Sequence, residues 1–312
     1  MILSQDETVI VSSIGWADAG ALWVFETRAG RVSTHKLSDA KYLSLHPGTE
    51  DHFAVVHHAD GEQVRITAHS FANPPKALAG VTLGASGIAF EGEAAVWRRV
   101  PRAYVAYLKG PGLADYRLLL IDPARPAAEV IPLDWYGDSY DKDYQAVIGV
   151  AEVPDENKVL FSVQRDSHPV LYDLDRRAVV TKLSLAGRGG NPTLHFTSRT
   201  RELWADDYDT LLRLSPPAWG VKNRTVLQGA GTGCRQFIGA FSFNRDESQC
   251  VVARPFSGDV VALNTKSFRV THTCRLGHQP LHVSLLSDGT VFSRDWKTGA
   301  LLSGQLKKKW FA

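Results

Sequence analysis

Charged and imidazole residues recur at one kind of place in this sequence, directly after short apolar runs. His57 and His58 follow the run at 53–56, and Lys109 follows 104–108. Arg165 and Asp166 follow 159–163, Asp206 and Asp207 follow 203–205, Arg254 follows 250–253, and Arg294 and Asp295 follow 290–292. Arginine offers a rigid fork of N–H donors that matches carboxylate and phosphate geometry. Arg165, Arg254 and Arg294 at equivalent places therefore describe a cationic cluster suited to an anionic ligand. The alternative is that these polar residues only cap apolar strands.

Histidine, aspartate and tyrosine supply the second kind of chemistry, proton transfer. His278 and His282 lie four apart, with His57 and His168 available elsewhere, and Tyr144 and Asp206 complete a candidate acid–base set. Such groups act when they sit within hydrogen-bond reach of a substrate. A metal is not expected. Residues four apart on a strand stand ~13 Å from each other, too far to share one ion. No cofactor motif is present either. Gly-x-Ser-x-Gly, His-Glu-x-x-His and an EF-hand loop are all absent from the sequence. Cys234 beside Arg235 reads as an ordinary loop thiol, since no histidine partner is set by spacing.

One long loop, 133–145, gathers aromatic groups with polar handles. Trp135, Tyr136, Tyr140 and Tyr144 stand there among acidic residues. Trp135 and Tyr140 suit a binding rim. A loop of this length also suits an excursion that covers an edge. Three later loops, 186–191, 229–235 and 276–279, are glycine-rich. No helix signal follows them, so they read as punctuation and not as phosphate cradles.

The elements that must position these residues are strands. Runs such as 8–11, 53–56, 104–107, 159–163, 250–253 and 290–292 are β-rich and bounded by Gly, Pro, Asp and Asn. Helical periodicity is almost absent. The runs group into units of about 45 residues, each holding four strands, as propeller blades do. The expectation is an all-β chain forming a single seven-bladed β-propeller of four-stranded antiparallel blades. The approximate blades are 1–38, 41–82, 86–134, 145–186, 192–228, 236–276 and 281–312. Residues 1–5 either form the first inner strand or pair with the last blade. Tight-turn residues separate the first two strands of several units, as in 154–157, 244–247 and 287–289.

Gly277-x-x-Pro280, an apolar strand, then Ser287-Asp288-Gly289 and a second apolar strand resemble the repeat of the YVTN-type seven-bladed propellers. Gly190-x-Pro192 and the segment 170–185 resemble other parts of that repeat. The tetrapeptide Tyr-Val-Thr-Asn itself is absent, as is a Gly-His followed by a Trp-Asp in the manner of the WD repeat. The resemblance implies a fold and no single function. It also implies a place for the site, the mouth of a central channel.

Charge narrows the partners. Lys and Arg number 35 against 33 Asp and Glu, for a formal net charge of +2. A nucleic-acid partner is not expected from that balance. Lys307, Lys308 and Lys309 form the one basic run, read as a solvated strand or tail. Three cysteines give no disulfide framework. No apolar run is long enough for a membrane helix, and the first residues show no signal peptide, so a cytoplasmic monomer without a membrane partner is expected. Two functions fit. The first is a module binding an anionic small molecule or a protein partner at the channel mouth. The second is a small-molecule enzyme of lyase, cyclase or hydrolase type using the same mouth.

Overall fold

The computed structural model describes residues 1–13, 20–38, 42–47, 52–58, 63–84, 94–97, 103–108, 116–122, 127–132, 147–153, 156–163, 168–185, 193–227, 237–277 and 279–306. Within them the strands fall into antiparallel sheets of consecutive strands. The first sheet holds β1 (Ile2–Leu3), β2 (Val9–Ser13), β3 (Ala21–Glu26) and β4 (Arg31–Lys36). The second holds β5 (Tyr42–Pro47), β6 (His52–His58), β7 (Gln63–Ser70) and β8 (Ala77–Gly84). The third holds β9 (Ala94–Trp97), β10 (Ala103–Leu108), β11 (Tyr116–Asp122) and β12 (Ala127–Pro132). The fourth holds β13 (Val147–Val153), β14 (Lys158–Val163), β15 (Val170–Asp173) and β16 (Ala178–Lys182).

The fifth holds β17 (Leu194–Phe196), β18 (Leu203–Asp207), β19 (Thr210–Ser215) and β20 (Gly220–Val226). The sixth holds β21 (Phe241–Phe243), β22 (Gln249–Arg254), β23 (Asp259–Asn264) and β24 (Arg269–Arg275). The last has three strands, β25 (Pro280–Leu285), β26 (Thr290–Asp295) and β27 (Leu301–Gln305). Six four-stranded blades are therefore present among the described residues, not seven. β1 pairs with β2, through Ile2 opposite Val11, so the first residues supply the first strand of the first sheet.

By contacts the chain divides into two compact units. The first is Met1–Gln164 with Val170–Thr181, and the second is Arg165–Pro169 with Lys182–Ala312. In the second unit, the sixth sheet shows why its apolar runs are unbroken. Cys250 and Val252 of β22, with Val261 and Leu263 of β23, join one core with Trp204, Leu211, Ile238 and Phe268. The alternate residues Val251, Ala253, Val260 and Ala262 join another with Leu276, Val283, Leu285 and Val291. Successive side chains on a strand point to opposite faces, so a sheet packed on both faces needs an apolar residue at nearly every position. The outermost strands differ. β20 and β24 alternate exposed and half-buried residues, as strands packed on one face do. The first unit repeats the principle, with Val9, Val11, Leu22 and Val24 packed on Leu43, Phe53 and Val55.

The turns between first and second strands in the first, sixth and last sheets share one construction. Asp6, Asp246 and Asp288 each accept a bond from the backbone N–H two residues on, at 3.1, 3.0 and 2.8 Å. The next residue, Glu7, Glu247 or Gly289, takes a positive φ. An Asx turn followed by a left-handed residue closes a hairpin tightly. Arg213 fastens the fifth sheet to the sixth. Its guanidinium lies over Trp204 and Phe268, at 5.8 and 5.3 Å from the ring centres. It donates to Asn223 and, at 2.7 Å, to the Thr265 carbonyl.

Gly239 marks a close approach between the sixth sheet and the last. The Ala240 N–H donates to the Leu281 carbonyl at 2.7 Å, and a Cβ on Gly239 would lie 2.5 Å from that same oxygen. Backbone cannot yield as a flexible side chain does. Gly239→Ala should lower unfolding stability by about 1–3 kcal/mol in urea titrations.

A buried chain of polar groups crosses the second sheet. His57 joins Ser38 at 2.8 Å and Thr67 at 2.7 Å, and Thr67 joins His69 at 2.7 Å. Among the described residues the buried His69 Nδ1 has no hydrogen-bond partner. Burial, with a lesser contribution from Arg65, pulls the His69 pKa from 6.5 down to about 4. The unfolded chain then holds the extra proton between those values. Stability should be steady above pH 6.5 and fall as pH drops through the window toward 4. His69→Gln should make that part of a plot of urea midpoint against pH less steep, the remaining slope coming from other buried imidazoles such as His282.

Candidate functional site

The turns joining second to third strands in the second unit carry the charged residues that the sequence singles out. In the sixth and last sheets those residues bond within the turn, and in the fifth they reach the segment ahead of the first strand. In the sixth sheet Arg254, at the end of β22, faces Asp259, at the start of β23. The guanidinium donates to both carboxylate oxygens, at 2.8 and 2.6 Å, and both side chains are about 10% exposed. The Gly258 N–H donates to the Arg254 carbonyl, and Gly258 takes a positive φ of 68°. In the last sheet Asp295 accepts from the backbone N–H of Gln279 and of Thr298, both at 2.8 Å, and from the Thr298 hydroxyl. In the fifth sheet the buried Asp206 accepts from the Thr193 N–H. Burial pushes the Asp206 carboxyl well above the usual carboxylate range.

The fork of Arg254 is thus engaged inside its own turn. Arg294 stands differently. It is directly cross-strand from His282, so the structure brings these two expected residues together on one face. Both are half-buried. Crowding by protein pulls the His282 pKa from 6.5 to about 3, so the imidazole is neutral near pH 7. Burial also lowers the Arg294 pKa. His57 lies in the first unit, with both ring nitrogens hydrogen-bonded in the buried chain described above. His168 is exposed, just ahead of β15. Arg165, Trp135, Tyr140, Tyr144 and His278 lie outside the described residues, as do Cys234 and the lysine run. No group of three or more His, Cys, Asp or Glu suited to a metal occurs among the described residues.

The same turns carry aromatic residues that the sequence reading passed over. Tyr208 sits between β18 and β19, Phe256 between β22 and β23, and Trp296 between β26 and β27. They are 44%, 54% and 55% exposed. Phe237 ties them together. Its ring meets Phe256 edge-on at 5.0 Å and Trp296 at 6.1 Å, and the next residue, Ile238, donates its N–H to the Tyr208 carbonyl. A signal was available. Each aromatic follows a charged strand-end residue by one or two positions, in Asp207-Tyr208, Arg254-Pro255-Phe256 and Asp295-Trp296. The charges hold the turns, and the turns hold the rings outward.

No protein-family model matches the sequence, and no curated protein matches it. Solved structures do match, 1147 chains in all, so the likeness marks a widely shared fold. One is the β-propeller domain of Cps50 (Swd1) from Myceliophteria thermophila, with a TM-score of 0.71 over 98% of this chain and 95% of that one. The chain is a β-propeller. At 10% identity the likeness establishes the fold alone. The expected tie to the YVTN-type repeat finds no matching family model. Among the described residues the complete four-stranded blades number six and not the expected seven, with the three-stranded sheet of β25, β26 and β27 after them in the sequence.

Removing one member of the buried Arg254 and Asp259 pair would strand the other's charge. Arg254→Ala should cost about 3 kcal/mol of unfolding stability, and Arg254→Met with Asp259→Leu should cost clearly less. A double-mutant cycle in urea reads both.

Proposed function

We propose that this propeller is a binding module that docks a protein partner through the aromatic turns of its second unit. One observation carries the reading. Phe256 and Trp296, both more than half exposed, pack on a common neighbour, Phe237, at the end of rigid, internally bonded turns. Contiguous exposed aromatic surface on a folded domain marks an interaction site more often than chance. Rings held in place before binding lose little freedom on association. Tyr and Trp are also the side chains that most often dominate interface energetics. The anionic preference expected from the sequence is kept in the proposal, resting on Arg294 and its neighbours, since Arg254 is used within its turn.

An enzyme reading has one observation of its own. Asp206 and His282 are shifted in opposite directions, the carboxyl up and the imidazole down. Opposed shifts are what acid and base partners need. Carbon-13 NMR titration of Asp206 would support this reading if the carboxyl stays protonated near pH 7.

The docking test is site-specific. A photocrosslinking amino acid at position 256 or 296, in cells of the source organism, should trap a discrete protein. The same group at Val270, exposed on the outer strand β24, should not. Equal trapping at all three positions, or none at 256 and 296, would overturn the reading. Phe256→Ser with Trp296→Ser should leave the Tm within a few degrees, because both rings are exposed.

A further inference from the structure

We infer that the occupant of this surface is an acidic peptide segment with an apolar anchor residue. The inference rests on the docking reading above and names the chemistry of its partner. The basis is how charge is distributed over the two turns that carry Phe256 and Trp296. Arg254, Arg275, Arg294 and Lys297 stand at these strand ends, against Asp259 and Asp295. Both acids are committed. Asp259 holds Arg254, and Asp295 is buried, accepting from Gln279 and Thr298.

Two exposed cations stand on these same elements, at the end of β24 and in the turn after β26. Arg275 is exposed and directly cross-strand from Asp259. Lys297 is exposed and follows Trp296 in the turn. The turn of the fifth sheet is opposite in sign, with Asp206, Asp207 and Asp209 around Tyr208. The positive surplus is therefore local to the Phe256 and Trp296 cluster. A complementary segment puts an aliphatic or aromatic residue on the rings and carboxylates beside Arg275 and Lys297.

Single-stranded nucleic acid also pairs aromatic stacking with positive charge. It needs a basic groove that tracks the backbone across several nucleotides. Two exposed cations beside one cluster make a spot and not a track. The rings also touch each other edge-on, which leaves no slot between Phe237 and Phe256 for a base to enter.

The test uses the full chain and labelled twelve-residue peptides with a central Leu-Phe pair, flanked by Glu, Gln or Lys. Binding is read by fluorescence anisotropy at 50 and 300 mM salt, with a twelve-nucleotide oligo-dT as a further probe. The Glu-flanked peptide should bind about 10-fold tighter than the Gln-flanked one, as two solvent-exposed ion pairs allow. The advantage should shrink at high salt. Arg275→Glu with Lys297→Glu should reverse the order of the Glu and Lys peptides. Phe256→Ser with Trp296→Ser should abolish binding of all three, with an unchanged melting curve as the folding control. Equal affinity for Glu and Gln flanks, lost in the aromatic variant, would overturn the acidic class and leave the docking reading standing. Tighter binding of oligo-dT than of the Glu peptide, or no binding of the Glu peptide by the wild-type chain, would overturn the inference as well. Only the crosslinking result bears on docking itself.

Discussion

Two-faced packing of the inner strands is the constraint on which the rest depends. A sheet stacked between neighbours has no side facing water except at its margin. Its middle strands must then be apolar at successive positions, and only the outermost strand alternates. β22 and β23 show the first pattern, feeding two cores from alternate residues, and β24 shows the second. Polar groups are favoured at the strand ends, and those inside a sheet, such as Thr67 and Arg213, are held by hydrogen bonds to neighbours. That is why charge clusters where strands turn.

At those ends charge does mechanical work before it does anything else. Arg254 closes its turn on Asp259, Asp295 takes the N–H of Thr298 in its own loop and of Gln279 ahead of β25, and Asp206 takes the Thr193 N–H. Once the turn is satisfied internally, the residues at its tip are free of structural duty. Tyr208, Phe256 and Trp296 occupy that position. The chemistry of the surface follows from the division of labour between the two kinds of residue.

The repeat of strands was legible because period-two patterning and Asp-centred turns are local. The stretches around Asn244 to Ser248 and Ser287 to Thr290 announce their hairpins in four or five residues. The number of complete blades was less legible, since a three-stranded sheet begins with the same signals as a four-stranded one. The role of a charge was not legible at all. Arg254 and Arg294 look alike after an apolar run, and only the fold shows that one meets Asp259 and the other lies across from His282. The aromatic tips were visible as letters but not as a group, because Phe237 joins them from a distant part of the chain.

Alternation within the sixth sheet has a consequence for the protein's history. Val251 and Val252 are bonded neighbours, yet they belong to different cores. Val252 shares its surroundings with Trp204 and Phe268, while Val251 shares its own with Val283 and Val291. Substitutions at adjacent codons are therefore nearly independent, and each is compensated some tens of residues away in a neighbouring blade. Drift in such a sequence erases resemblance along the chain while preserving it across the stack, and recognisable shape outlasts recognisable sequence.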